Sequence, residues 1–406
     1  MRIAYLLSQF PVLSQTFVMN EIIELIENGH DLLIFSLSRP RRGLTHPEVA
    51  EYRLMDRTFY LPLVSMVAMD AQEPSPRLAS FGSRVYGGNT LTAKLVSNIC
   101  SLTVAAYFAR LARELQVDVL HSHFYGIASA VTALVSHQSW IPFTYTCHAV
   151  DIFVSPDPRV MRRHMEAAAR VITPSYYNRE YLKGLTGING NKIEVVRACH
   201  SIKKFKSVTR QENDRVILTV GRLVRKKGLH YGLLALRELV CEFPGLRYRI
   251  IGDGPEKKKL IKLTESLQLE GNVEFLGSMS TSESFLEQLS QAAFMLLPCI
   301  QTKDGDMDVC PLVLQEAMCA RVPVVSTNIS AIPELVENGI EGFVIQPNEV
   351  EPIVSAARSL LTDIQLRDRM GKAGQEKIEQ EFNIHTEVNK LLSIWRDISS
   401  SHGNNN

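Results

Sequence analysis

The chain reads as an α/β protein built from two consecutive domains of sheet covered by helices, with further helices at its end. Three observations lead there. Its 406 residues exceed one ordinary core and suggest two domains at roughly 150–200 residues each. Short apolar runs of strand length alternate with longer helix-spaced stretches, the pattern of a mostly parallel sheet with helices on its faces. That alternation stops once, over R-A-C-H-S-I-K-K-F-K-S-V-T-R-Q-E-N-D at residues 197–214, where polar residues replace periodicity as in a linker, and then restarts. The expected limits are residues 1–200 for the first domain, 201–214 for the linker and 215–380 for the second domain. A helix at 381–400 is expected to pack back on the first domain, and 401–406 to form a disordered tail.

The first domain opens with an apolar strand at residues 3–7, the loop S-Q-F-P-V-L-S-Q-T-F, and a helix at 18–27 that Gly29 ends. A second strand at 31–37 completes a βαβ unit. The loop at 8–16 therefore belongs at a strand's carboxyl end, where open α/β sheets bind ligands. Residues 39–89 are irregular, rich in Pro, Gly, Ser and Arg, and carry no assigned chemistry. Order returns with a helix at 91–115 and a strand at 117–120 that delivers H-S-H-F-Y-G. A helix at 127–135, a strand at 143–146 followed by C-H-A-V-D-I-F, and strands at 171–173 and 193–196 follow.

The second domain starts with a strand at 216–220, the loop G-R-L-V-R-K-K-G, a helix at 229–241 and a strand at 248–251 leading to G-D-G-P. Helix, strand, helix and strand continue to residue 297. Then comes D-G-D-M-D-V-C-P-L-V-L-Q-E-A-M at 304–318, a carboxylate-rich loop running into a helix that Pro311 starts, since proline fits the first helical turn. A strand at 322–326 and a helix at 332–336 precede a helical, charged tail from about residue 350. The periodicity thus gives two Rossmann-like sheets.

Composition excludes several functions. A net charge of +1 gives no general reason to expect nucleic acid, although basic clusters at 225–227, 257–259 and 203–206 are available to phosphates. Seven cysteines without a C-x-x-C pair read as reduced thiols of a cytoplasmic protein, not a disulfide framework or a structural zinc site. The amino-terminal run reads as a buried strand, not a signal peptide. Residues 95–109 come nearest to a membrane span, but Ser97, Asn98 and Ser101 interrupt them and they fall short of the roughly 20 residues that cross hydrocarbon. Peripheral membrane contact stays open, because it requires only an apolar face with basic neighbours. No G-x-G-x-x-G follows the first strand, which disfavours a nicotinamide-dependent oxidoreductase.

Two motifs carry chemistry. Glu316 falls about one and a half turns into the helix after Pro311, while Asp308 stays on the loop, so two carboxylates can converge where a hydroxyl-rich ligand is gripped. In the loop at 221–228, Arg222 and Lys227 stand between a strand and the amino end of a helix, where backbone N–H groups and the helix dipole favour anions. Lone examples of either motif are more often solvated surface; together in one domain they point to a site.

These residues resemble the signature of the retaining glycosyltransferases of family 4, in which two glutamates flank seven residues and a P-x-x-L-x-E-A-M run closes the motif. Glu316 takes the second glutamate's place, Asp308 the first, and Val309 stands where a glycine often follows. The resemblance implies a GT-B architecture, two Rossmann-like domains facing a cleft with C-terminal helices. It also implies transfer of a hexosyl group, with retention, from a nucleotide diphosphate sugar to a hydroxyl acceptor. Arg222 and Lys227 then hold the donor's phosphates, Glu316 accepts the ribose hydroxyls, and Asp308 meets the transferred sugar, as does His123. Gly221, Gly254, Val309, Cys310, Pro311 and Leu312 line the donor site. His148 and Asp151 stand near the acceptor or phosphate. The F-P-x-L-S-Q-T-F loop resembles a branch associated with exopolysaccharide assembly, with Ser14 and Thr16 bonding phosphate or acceptor and a lipid-linked oligosaccharide as the acceptor, used by a cytoplasmic enzyme at the inner face of the membrane. No metal or other cofactor is implied. Replacing Glu by Asp retracts the carboxylate by ~1.5 Å, a displacement of the order that matters for rate. An inactive or weakly active sugar-nucleotide-binding subunit of a polysaccharide-synthesis complex is therefore the alternative.

Overall fold

The computed structural model describes residues 1–12, 15–40, 46–61, 91–154, 156–202, 205, 208–211, 215–279 and 283–403. Ser14 and most of the irregular stretch at 39–89 lie outside the described residues. The chain divides into two compact units, Met1–Arg197 with His385–Asn406, and Ala198–Ile384.

Among the described residues the first unit holds seven strands, β1 (Arg2–Gln9), β2 (Asp31–Ser38), β3 (Thr58–Tyr60), β4 (Val119–His123), β5 (Phe143–Thr146), β6 (Arg170–Thr173) and β7 (Ile193–Val195). They pair in parallel in the order β3-β2-β1-β4-β5-β6-β7. The central strands are apolar almost throughout because helices cover both faces; Ile3, Leu6, Ile34, Phe35 and Leu120 are fully buried. Each such side chain contributes about 1.5–3 kcal/mol relative to exposure. The first helix, Thr16–Glu27, buries Val18, Met19, Ile22 and Leu25, one face at helical spacing. The final helix, Ile384–Gly403, belongs to this unit and runs past residue 400 into the stretch expected to be disordered. It buries Trp395 completely, and the indole Nε1 donates to Thr144 Oγ1 on β5 at 2.9 Å.

The second unit holds β8 (Val216–Val220), β9 (Arg247–Ile251), β10 (Val273–Gly277), β11 (Phe294–Leu297), β12 (Val324–Thr327) and β13 (Gly342–Ile345). Their order is β10-β9-β8-β11-β12-β13, again parallel. In each sheet the order reverses beside the first strand, between β1 and β4 and between β8 and β11. Connections there leave in opposite directions and open a crevice outside the carboxyl ends, where such sheets take ligands.

Three differences from the sequence reading bear on function. His121 and His123 lie within β4 and not on a loop after it, because the strand continues to pair with β5, His121 opposite Thr144 and His123 opposite Thr146. Pro311 caps the helix Leu312–Cys319 with an extended ψ of 119° instead of occupying its first turn. The edge strands β3 and β13 were not expected; both are short and half-buried, which leaves no clear alternation to read.

Candidate functional site

The second unit's site forms at its switch point, where the loop after β8 meets the loop after β11. Ile300 N donates to Lys226 O at 2.8 Å and joins the two loops. Gly228 makes this approach possible. Its φ is +65°, and a Cβ there would lie 1.8 Å from the carbonyl oxygen of Pro298. Gly252, with φ +140°, lets the G-D-G-P turn close on the same loop, since a Cβ would lie 1.9 Å from Gly221 O. Leu223 N then donates to Asp253 O at 2.9 Å and Glu256 N to Leu223 O at 3.0 Å. Gly221 and Gly254 are therefore part of one interlocked backbone.

Within this frame Lys227 Nζ stands 2.7 Å from Asp308 Oδ2, while Lys226 Nζ lies 3.4 Å from Asp308 Oδ1 and 2.8 Å from Asp306 Oδ1. Cys299 Sγ approaches Asp308 Oδ2 at 3.5 Å. Burial pushes the Asp308 carboxyl up, but Lys227 and Lys226 outweigh it and hold the group at about 2. The same exchange raises Lys227: burial disfavours its charge and Asp308 more than restores it, against the opposing field of Arg222. A half-buried cation beside an ionised aspartate is thus fixed at neutral pH. Arg222 is exposed on the same loop, and Lys226, which the sequence did not single out, is buried. Asp304 is a turn residue held by Thr302.

One turn into the helix Leu312–Cys319, Glu316 is buried and its Oε1 lies 2.8 Å from His200 Nε2. Its neighbour Gln315, fully buried, donates from Nε2 to Ala198 O at 2.9 Å. The segment at 198–200, read from the sequence as the edge of a linker, is thereby fastened to the site helix, and His200 is a site residue that sequence reasoning missed. Val309 and Pro311 are buried, Cys310 and Leu312 half-buried. Nothing in the helix periodicity distinguishes Glu316 from a surface glutamate; its pairing is visible only in three dimensions.

In the first unit β4 brings His123 beside His148, Nδ1 to Nε2 at 3.1 Å, and beside Glu21 on the first helix, Nε2 to Oε1 at 3.3 Å. Asp151 accepts the backbone N–H of Tyr125 at 2.8 Å and of His148 at 3.0 Å, so it organises the turn after β5. Burial pushes its carboxyl up to about 6, against those N–H groups. Burial likewise holds His148 well below the usual imidazole range. Asn178 Nδ2 completes the turn by donating to His148 O at 2.7 Å. Thr16 opens the first helix. His123, His148 and Asp151 are thus brought together, with Glu21 as the partner that sequence reasoning did not find.

Two parallel Rossmann-like units, each with its polar residues at the switch point, define the GT-B class of transferase folds. The chain belongs to the group 1, family 4 glycosyltransferases. The description Glycosyl transferases group 1 matches residues 201–377, and Glycosyltransferase Family 4 matches residues 14–199. The Escherichia coli K12 protein named Putative colanic acid biosynthesis glycosyltransferase WcaL is 30% identical over 97% of this chain and 99% of its own length. The Erwinia amylovora amylovoran biosynthesis glycosyltransferase AmsK is 27% identical over 97% and 99%. Among solved structures, Anabaena HepE in complex with UDP aligns with a TM-score of 0.72 at 17% identity, over 98% of this chain and 100% of that one. The sucrose-phosphate synthase of Thermosynechococcus elongatus aligns with a TM-score of 0.73 at 16% identity, over 98% and 99%. Among the described residues no helix is long and apolar enough to cross a membrane.

Proposed function

We propose that this chain transfers a hexosyl group, with retention, from a nucleoside diphosphate sugar to a hydroxyl of a lipid-linked oligosaccharide during cell-surface polysaccharide synthesis. The names of its relatives support the biosynthetic setting. The observation that carries the donor assignment is the half-buried Lys227–Asp308 pair at 2.7 Å in the switch-point crevice. An ammonium has three donors, and Asp308 fixes its direction while leaving donors for a diphosphate. Arg222, exposed on the same loop, completes the clamp. Glu316, oriented by His200, accepts the ribose hydroxyls, and Gly221, Gly254, Val309, Cys310, Pro311 and Leu312 line the donor's path. His123 keeps the sugar contact that the resemblance implies, with His148 and Asp151 behind it and the loop at Thr16 on the acceptor side. A lipid-linked acceptor sets the work at the inner face of the membrane, reached by peripheral contact.

In the reaction the bond from the sugar's anomeric carbon to the diphosphate oxygen breaks, and the acceptor oxygen bonds that carbon on the same face. The acceptor's proton passes to the departing phosphate. Negative charge grows on that phosphate as the bond breaks, so preorganised cations at Arg222 and Lys227 lower the barrier most. No metal enters this step.

Both oxygens of Asp308 face lysines, and this favours a second reading in which the short carboxylate leaves a binding subunit with weak turnover. One experiment separates them. Thermal stabilisation is measured with a panel of nucleoside diphosphates and their sugars, and transfer is then assayed for the parent and Asp308→Glu. The proposal expects a shift with one base and parent turnover within tenfold of Asp308→Glu. A shift with no nucleotide removes the donor site; a shift together with a much larger gain in Asp308→Glu supports the binding subunit.

A further inference from the structure

The pair Glu21–His123 belongs to a larger buried group. His121 and His123 occupy the same face of β4, two residues apart, and the first helix lays Glu21 across them. One ligand atom from each of the three lies within 4.8 Å of the others. We propose that Glu21, His121 and His123 form a binding site for a divalent transition metal ion of the zinc type.

A carboxylate oxygen and two imidazole nitrogens make a donor set that zinc accepts with a fourth position left open. The spacing of one pair agrees: ligands about 2.0–2.1 Å from a tetrahedral ion stand roughly 3.3–3.4 Å apart, and Glu21 Oε1 lies 3.3 Å from His123 Nε2. The group as a whole lies within 4.8 Å, so an ion has to draw the remaining ligand inward. That nitrogen is buried and makes no hydrogen bond of acceptable geometry with any described group, although His123 is only 3% exposed. An imidazole nitrogen so placed is costly unless something binds it.

The groups behind the ligands are arranged as metal sites require. A ligating histidine is held by what its other nitrogen touches. His123 Nδ1 is 3.1 Å from His148 Nε2, and His121 Nδ1 is 2.8 Å from Thr144 Oγ1. Thr144 Oγ1 also accepts from Trp395 Nε1, so the final helix of the unit helps orient the ring. With Nδ1–H of His121 directed at Thr144, its Nε2 carries the lone pair. Thr146 Oγ1, 3.2 Å away, occupies that lone pair and yields it when an ion binds. Tyr5 donates its hydroxyl to Glu21 Oε1, and its ring stacks on His123 with centroids 5.5 Å apart. Tyr5 and Trp395 exclude water from the group, which strengthens ligation. An ion there ties the first helix to the central strand and takes the His123 nitrogen that faces Glu21, so ion binding and the sugar contact proposed for His123 are alternatives.

The test uses the full-length chain, stripped with a chelator and exchanged into metal-free buffer. It is titrated with Zn²⁺ by calorimetry and with Co²⁺ by visible absorption. One equivalent, the absorption of four-coordinate cobalt and a zinc-dependent rise in melting temperature are expected. Glu21→Gln, which keeps the size of the side chain and a partner for Tyr5, should weaken zinc by more than about 100-fold, since even outer partners cost 10–100-fold. The metal-free variant should melt near the metal-free parent. Binding below one equivalent, or binding that Glu21→Gln leaves unchanged, overturns the proposal. If the variant does not fold, the cobalt-shifted imidazole N–H signals of the parent decide: two ligating histidines support the site, and fewer overturn it.

Discussion

Lys227 and Asp308 illustrate how a charged pair survives partial burial. Taking both from water costs several kcal/mol, which their contact and the second cation at Lys226 offset. The arrangement is expensive if incomplete, so its place at the carboxyl end of the sheet fits the chemistry proposed for it better than a role in stability alone. Replacing Lys227 by alanine removes the cation proposed to meet the departing phosphate and leaves Arg222 and Lys226. Loss of one preorganised donor to a developing anion costs about 100-fold or more in kcat. The expected result is that drop in kcat with the acceptor's KM nearly unchanged, read by steady-state transfer at saturating donor. A near-normal kcat removes the clamp from the mechanism. Lys226 could not have been preferred over Lys227 from R-K-K alone: in a tight 3-10 turn, adjacent side chains leave in different directions that the composition does not encode.

The loops that hold these residues depend on a few backbone positions, and here the sequence was partly legible. Apolar runs placed nearly every strand of the two sheets because buried parallel strands are apolar on both faces. The same logic fails at the edges, where β3 and β13 have only three and four residues and half-buried faces. It also failed at His121, a polar residue inside a strand, which Thr144 and Thr146 satisfy from the neighbouring strand. His200 lay in a polar, aperiodic stretch with no signal of its own. Glycines were legible as turns, but the sequence did not say which carried a close approach. Gly228 and Gly245 distinguish the cases. Both have positive φ, +65° and +83°, yet a Cβ at Gly245 meets nothing within 4 Å, while at Gly228 it lands on Pro298 O. Gly245→Ala should cost only the left-handed backbone penalty, about 1–2 kcal/mol. Gly228→Ala should cost more and also push the two site loops apart. Urea denaturation with nucleotide titration checks this: donor affinity should fall for Gly228→Ala alone.

The chain as a whole meets acid with two different sets of buried groups, and the order in which they titrate sets its stability profile. In the first unit His164 is 1% exposed among the rings of Tyr125, Phe143 and Tyr145, with no hydrogen-bond partner among the described residues for either ring nitrogen. Burial lowers it from 6.5 to about 4. The unfolded chain therefore binds a proton that the folded chain refuses between these values, so this contribution is complete above pH 6.5 and is lost as pH falls toward 4, by roughly 3 kcal/mol. Asp151 acts in the opposite sense. Its carboxyl is raised from 3.8 to about 6, so its contribution is full below pH 3.8 and is lost as pH rises through 6. Asp308 in the second unit is lowered from 3.8 to about 2, and its contribution disappears only below pH 4. Comparing His164→Phe with the parent cancels the aspartates, because both proteins carry them, and phenylalanine suits the aromatic surroundings. Urea midpoints at pH 7, 5.5 and 4.5 should show the variant gaining on the parent as pH falls, by about 2–3 kcal/mol across that range. A difference that does not change with pH would mean that His164 is solvated or partnered in the folded chain, and acid sensitivity would then be sought at His121 and His148, which burial also lowers.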